Sequence, residues 1–472
     1  MSPDDFRKQA HELVEWMASY METIESYPVK SSVSPGKIFS SLPAQPPAEA
    51  EPFSSLIKDF NEIIMPGITH WQHPGFFAYF PANTSPPSIL AEMLTATLGA
   101  QCMIWETSPA AAELEEKVMI WLKNLIGLPQ EFEGVIQDTA STATLAAIIT
   151  ARERVTGYSF NDTGKADKGT LRVYCSGQTH SSVEKAVKIC GIGKRNLVKI
   201  AVREDFSMDP LKLEEAVGND FEKGYVPCCV VATIGTTGTT AIDPLKEIGE
   251  ICNKYGIYLH VDAAMAGTAL ILPEFQWMLD GREYIDSFVF NPHKWMFTNF
   301  DCTAYFVKDA STLIKTFELL PEYLKTRTRG KVNDYRDWGV PLGRRFRALK
   351  LWFVIRSYGT DMLREKVRLH IKLASDLKEW ILKESDFELM APVVISVVCF
   401  RYKPAGMQED KLNLINEKLN HILNDSGKIY LTHTVLNGKY TLRMVTAQTN
   451  VAERHVQSAW EQIRDTARSI SL

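Results

Sequence analysis

Two short segments constrain this chain more than any others: His260-Val261-Asp262-Ala263-Ala264 and Phe288-Val289-Phe290-Asn291-Pro292-His293-Lys294-Trp295. Each is apolar where it enters and polar where it ends. That is the pattern of a strand delivering a side chain to the rim of a buried parallel sheet. The first delivers an aspartate and the second a lysine, 32 positions apart. A buried carboxylate requires a cationic partner, and a lysine among aromatics is an amine suited to trapping a carbonyl. An ordinary salt bridge would satisfy the pair as well, so the surrounding sequence has to decide.

With 472 residues, 45% of them hydrophobic, the chain can bury a large core divided into two or three domains. Its 52 Lys and Arg against 57 Asp and Glu leave a net charge of −5 without a polybasic block, which argues against nucleic acid or an anionic membrane as the main partner. The polar, acidic start Ser2-Pro3-Asp4-Asp5 is not a signal peptide, and no apolar run reaches the roughly 20 residues of a membrane span. Eight cysteines lie scattered without a C-x-x-C pair. They read as buried free thiols of a cytoplasmic protein, with no metal site.

In chain order, Ser2-Pro3 caps a helix whose Phe6, Ala10, Leu13, Met17, Tyr20 and Ile24 form one apolar stripe. That stripe covers either its own core or a partner subunit. Residues 42–52, rich in proline, are an extended linker. Thr69 to Pro81 holds too many aromatics beside proline and glycine for a helix interior, and is either a pocket wall or a hydrophobic plug. Gly134 to Thr144 is a strand ending in small polar residues before a helix, a place where backbone N–H groups and hydroxyls converge on a phosphate or form a plain cap. Leu171–Cys175 is a strand followed by Thr179-His180-Ser181-Ser182 at a helix start.

Residues 225–262 form a βαβ unit, with a strand from Tyr225 to Ile234, a helix capped by Asp243-Pro244 and stopped at Gly256, and the strand carrying Asp262. Residues 318–340 lack periodicity, as a long functional loop does. From about 361 a compact α+β unit begins, with a hairpin turning at Asn437-Gly438. The expected division is an N-terminal helical arm over 1–84, a large α/β domain over 85–360 and a small α+β domain over 361–472. A lysine and a buried acid converging at the carboxyl ends of strands is what pyridoxal 5′-phosphate requires, the amine for its aldehyde and the acid for its ring nitrogen.

These motifs, with Phe76-Phe77-Ala78-Tyr79-Phe80-Pro81 and Pro341-Leu342-Gly343-Arg344-Arg345-Phe346-Arg347, give the chain a resemblance over nearly its whole length. It resembles the group II pyridoxal-phosphate decarboxylases, and within them the aromatic L-amino-acid decarboxylases. The resemblance implies the aminotransferase-like fold type I and a homodimer whose N-terminal helix swaps onto the partner. It implies that Lys294 holds the cofactor aldehyde, Asp262 pairs with the ring nitrogen and His180 stacks on the ring, with Thr237 and Ala264 also in contact. Thr139, Ala140, Ser141 and Asn291 match phosphate-binding positions, with His293 adjacent, although Asp138-Thr139 stands where the family usually has Gly-Ser. Trp71, Tyr79, Phe80 and Pro81 match the aromatic substrate pocket, near which Met103 and Ile104 depart from animal relatives.

Tyr335 matches the residue that returns a proton to Cα across the dimer interface. Family members with phenylalanine there tend to make aldehydes, so Tyr335 favours amine formation. The alternatives are an aldehyde synthase, a glutamate-type decarboxylase, which would need a basic group in place of the aromatic wall, and a non-catalytic scaffold.

Overall fold

The computed structural model describes residues 1–167, 169–319 and 331–470, so much of the expected loop lies outside the described residues. The chain divides into two compact units, one built from residues 80–374 and 391–398, the other from 1–79, 375–390 and 399–472.

The first unit is built on seven strands: β1 Glu133–Gln137, β2 Leu171–Ser176, β3 Leu197–Ile200, β4 Val226–Thr233, β5 Tyr258–Asp262, β6 Ser287–Phe290 and β7 Thr303–Val307. Their order is β1-β7-β6-β5-β4-β2-β3. β7 runs antiparallel to both neighbours, and the other pairings are parallel. β4 is Val-Pro-Cys-Cys-Val-Val-Ala-Thr, buried along almost its whole length, as a central strand covered on both faces must be. Pro227, which has no N–H to give, sits where the register with β2 shifts between Arg172 and Val173, a break in the ladder that tolerates it. Helix Ala140–Thr156 buries Ala143, Ala146, Ala147 and Ala151, small side chains that let it lie close to the sheet, with Val173, Cys175, Cys229 and Val231 in the same core.

Two details depart from the sequence pattern. Asp243 does not cap the next helix, which starts at Leu245. Its carboxylate is buried and accepts the backbone N–H groups of Met208 at 2.6 Å and Thr233 at 2.7 Å, and burial pushes it up to about 7 against the pull of those bonds. The small polar residues read as the end of the Gly134–Thr144 strand belong instead to the helix, which starts at Ala140, where Thr139 accepts the N–H of Thr142 and caps it. Two histidines are buried neutral among these elements. His260 on β5 bonds Ser287 at 2.8 Å and Thr144 at 3.3 Å, and His370 accepts the Trp295 indole N–H at Nδ1 (2.9 Å). Burial pushes both down to about 3.

In the other unit, β8 Phe387–Leu389, β9 Val397–Tyr402, β10 Thr432–Leu436 and β11 Lys439–Val445 form a sheet in the order β10-β11-β9-β8. The turn between β10 and β11 has Asn437 and Gly438 at φ 51° and 78°, as a type I′ hairpin demands. The stretch Phe76–Ala78 is docked by Phe77 N–H to Tyr430 O and Val445 N–H to Phe77 O, both 2.9 Å. Helix Pro3–Glu22 packs Trp16 on Phe60 and Tyr20 on Tyr27 and His70, while Phe6, Leu13, Val14 and Met21 stay exposed. Among the described residues no helix is long and apolar enough to cross a membrane.

After β4 the chain turns at Gly235 with φ 82°, and a Cβ there would come within 2.5 Å of the Ala266 Cβ. Gly235→Ala combines a left-handed backbone with a collision and should cost about 2–4 kcal/mol of stability. A denaturation midpoint equal to that of the unaltered chain would contradict this account.

Candidate active site

The paired registers Thr233↔Asp262 and Asp262↔Val289 level the carboxyl ends of β4, β5 and β6, so the segments leaving these three strands emerge at one edge of the sheet. A cleft of about 200 Å³ opens there, lined by Thr139, Ala140, Ser141, His180, Thr237, Asp262, Ala264, Asn291, His293 and Lys294. These ten positions come from five separate chain segments, and each carries a role that the sequence motifs imply. Phe80, Ser182, Thr233, Gly235 and Phe300 complete the lining.

Lys294 is delivered by a four-residue helical turn, Pro292–Trp295, that leaves β6 through Asn291. The turn is held from several sides. Asn291 N–H donates to Ala264 O and Lys294 N–H to Asn291 O, both at 2.9 Å. His293 is clamped by its N–H to Cys302 O at 3.2 Å and by Cys302 N–H to its Nδ1 at 3.0 Å. Trp295 is fully buried against His370. The Lys294 ammonium reaches out 5.3 Å from the centre of the Phe80 ring. Asp262, the last residue of β5, is buried and takes the Ala264 N–H at 3.0 Å through Oδ1.

The histidines in the cleft are neutral. Burial, then Lys294, pushes His293 down to about 3; with Nδ1 accepting from Cys302, the neutral ring carries its proton on Nε2. His180 is partly open to solvent, yet burial of the rest pushes its pKa down, opposed by Asp262 and aided by Lys294 and Lys185. Its Nδ1 accepts the Ser182 N–H at 3.2 Å and lies 2.9 Å from the Ser182 hydroxyl, which likewise leaves the proton on Nε2. The first turn of helix Ala140–Thr156, whose N–H groups point out of the helix, enters the same lining through Ala140 and Ser141 beside its cap Thr139.

The aromatic residues divide. Phe80 lines the cleft and Pro81 is buried in the same unit. Trp71 and Tyr79 belong to the other unit, where both are exposed and their rings lie 5.8 Å apart beside Phe76 and Tyr430. Tyr335 does not line the cleft of its own chain. It is buried edge-on against Trp338 at 5.4 Å, with the Arg344 guanidinium 5.1 Å from its ring. Its flanks are tied to the stretch around Met103: Arg336 N–H donates to Met103 O at 2.9 Å, and Trp105 N–H to Asp334 Oδ1 at 3.0 Å. Sequence reasoning assigned no role to Asp334 or Ser182. The second had a signal, a hydroxyl two residues after His180 at a helix start. Among the described residues no cluster of His, Cys, Asp and Glu is arranged to hold a metal ion.

Known proteins resemble this chain over nearly its whole length. Residues 35–403 match the profile of the pyridoxal-dependent decarboxylase conserved domain. The chain is 42% identical to tyrosine decarboxylase 4 of Petroselinum crispum, over 100% of this chain and 94% of that one. It is equally 42% identical to a phenylacetaldehyde synthase of Arabidopsis thaliana, over 99% and 96% of the two chains. The crystal structure of Oryza sativa TDC with PLP and tryptamine superposes with a TM-score of 0.96 at 36% identity, covering 99% of this chain and 98% of that one.

His260, His293 and His370 stay neutral to about pH 3 in the folded chain, whereas unfolded histidines titrate near 6.5. Below 6.5 the unfolded chain binds protons that the folded chain refuses, so these groups lower stability as pH falls from there towards 3. Together they cost about 4 kcal/mol per pH unit once the unfolded histidines are protonated. Urea midpoints measured at about pH 7, 6 and 5 should decline in that order. A flat series would contradict three buried neutral histidines.

Proposed function

Because the chain belongs to the pyridoxal-dependent decarboxylase family, we propose that it decarboxylates an aromatic L-amino acid to the arylalkylamine and carbon dioxide. Its cofactor is pyridoxal 5′-phosphate, and its mostly parallel sheet with flanking helices is the fold-type-I architecture. The observation that carries the reading is the meeting of Lys294, Asp262 and His180 in one cleft with the hydroxyl-bearing N-terminus of helix Ala140–Thr156. That donor set fits the cofactor at each of its parts: an amine for the aldehyde, a buried acid for the ring nitrogen, an imidazole for the ring face and N–H and hydroxyl donors for the phosphate.

When bound, the cofactor supplies a cationic ring into which the electrons released with carbon dioxide flow. The chain's residues do the rest. Lys294 Nζ is the amine that would hold the cofactor aldehyde. Asp262 keeps the ring nitrogen protonated, held in place by its bond from Ala264. His180, neutral and fixed through Nδ1 by Ser182, would meet the ring face without adding a charge that competes with that proton. Thr139, Ala140, Ser141 and Asn291 would hold the phosphate, with His293 adjacent and Thr237 and Ala264 in contact around the cofactor. Phe80, in the cleft lining, is placed to meet the aromatic side chain of the substrate, and the parts assigned to Pro81, Trp71 and Tyr79 rest on the family resemblance.

Tyr335 is read as the donor that returns a proton to Cα in the site of a second copy, in a homodimer. It lies outside the cleft of its own chain, buried against Trp338 and Arg344, so the action in trans rests on the family resemblance. The exposed Phe6, Leu13, Val14 and Met21 supply an apolar face for the partner. The eight cysteines, all free and buried, support a reducing cytoplasm. The 42% identity to an aldehyde synthase keeps oxidative deamination as the second reading.

Product analysis decides between them. The loaded enzyme given tryptophan, tyrosine, DOPA or phenylalanine should release amine and carbon dioxide from one of them; aldehyde with ammonia and uptake of dioxygen would move it to the second reading. Asp262→Asn leaves a buried charge unpaired, which costs about 3–5 kcal/mol. Carbon dioxide release should therefore slow roughly a hundredfold to several-thousandfold, and near-normal turnover would remove Asp262 from the mechanism. Tyr335→Phe should shift the products towards aldehyde and ammonia, and a variant that still makes only amine would remove the proton-returning role.

A further inference from the structure

Asp138 comes directly after the last residue of β1 and directly precedes Thr139, the cap of helix Ala140–Thr156. Its Oδ1 accepts the Thr139 N–H at 2.6 Å, so a carboxylate already holds a backbone donor at the end of the cleft where Thr139 and Ser141 stand. The segment is fixed in that place, since the Thr303 hydroxyl lies 3.0 Å from Asp138 O and 2.9 Å from Asn291 Oδ1. Among the described residues no arginine lines this cleft. The Arg347 guanidinium feels the charge of Asp138 but is engaged by both carboxylate oxygens of Asp301, each at 3.0 Å. A phosphate dianion at this helix terminus would therefore meet neutral donors, one donor fewer than the turn could offer, and a like charge beside it.

We propose that Asp138 limits the affinity of this site for the cofactor's phosphate, so that occupancy depends on the supply of cofactor instead of being permanent. The inference rests on the placement of the phosphate at Thr139 and Ser141 given under the proposed function. The carboxylate acts twice, by engaging the Thr139 N–H that the phosphate would use and by repelling the charge it brings. The effect belongs to the phosphate alone, because the pyridine ring and aldehyde are met by Asp262, His180 and Lys294.

The test compares Asp138→Asn and Asp138→Gly with the unaltered chain. Two quantities are read: the rate at which each holoenzyme loses cofactor on dialysis, and the dissociation constant on titrating it back, monitored by cofactor absorbance. Both variants should bind pyridoxal 5′-phosphate roughly five- to fiftyfold more tightly and lose it correspondingly more slowly. Affinity for pyridoxal, which lacks the phosphate, should change by less than about twofold. A merely structural role for Asp138 would move both ligands together. The advantage of Asp138→Asn should also shrink as salt is raised, because part of it is removed repulsion. Wild-type or weaker cofactor affinity in both variants, or an equal gain for pyridoxal, would overturn the inference. Ser141→Ala, measured in parallel, separates the two levels. If it weakens cofactor binding while the Asp138 variants do nothing, only the inference fails. If neither position matters, the phosphate lies elsewhere and the reading of the site fails with it.

Discussion

The pairing of Asp262 with Val289 across β5 and β6 is the constraint on which the site depends. Strand side chains alternate faces, so a slip of one residue would turn Asp262 out of the cleft and carry the Lys294 turn to a different height. The register is held from beneath, by apolar residues such as Val261 and Phe288 buried in the sheet and by His260 bridging Ser287 on one side and Thr144 on the other. The fully buried polar bridge costs a neutral histidine, and it ties β5 to β6 and to the helix whose N-terminus lines the cleft. The chemistry and the core are thus fastened by the same strand.

Around the reacting groups the protein withholds charge. His180 and His293 are both kept neutral, and both have Nδ1 occupied by a backbone N–H, so each presents an N–H from Nε2. In a confined space a second cation beside Lys294 would compete for the same carboxylate. Neutral donors orient a ligand without that competition.

The sheet and its ligand edge were legible because β4, β5 and β6 are continuous apolar runs that end abruptly in polar residues, and the hairpin at Asn437-Gly438 was legible because only such residues accept its backbone. The ten cleft positions were legible through motifs rather than through periodicity. Three things were not. Asp243 looks like a helix cap in sequence, and only the folded chain brings Met208 and Thr233 to its oxygens. That residues 1–79 share a compact unit with 399–472 depends on bonds such as Phe77 to Tyr430, which span hundreds of positions. The parking of Tyr335 against Trp338 and Arg344 reflects packing that no local pattern encodes.

The eight buried thiols have a further consequence. Cys229 lies in β4, where burial drives its thiol far from ionisation, and Cys175 and Cys302 are similarly shielded. Only a thiolate reacts with an alkylating reagent, so each strand carries a silent clock that starts when that strand opens to solvent. The order in which these cysteines become labelled would record which layers of the sheet breathe and which separate only when the whole unit comes apart.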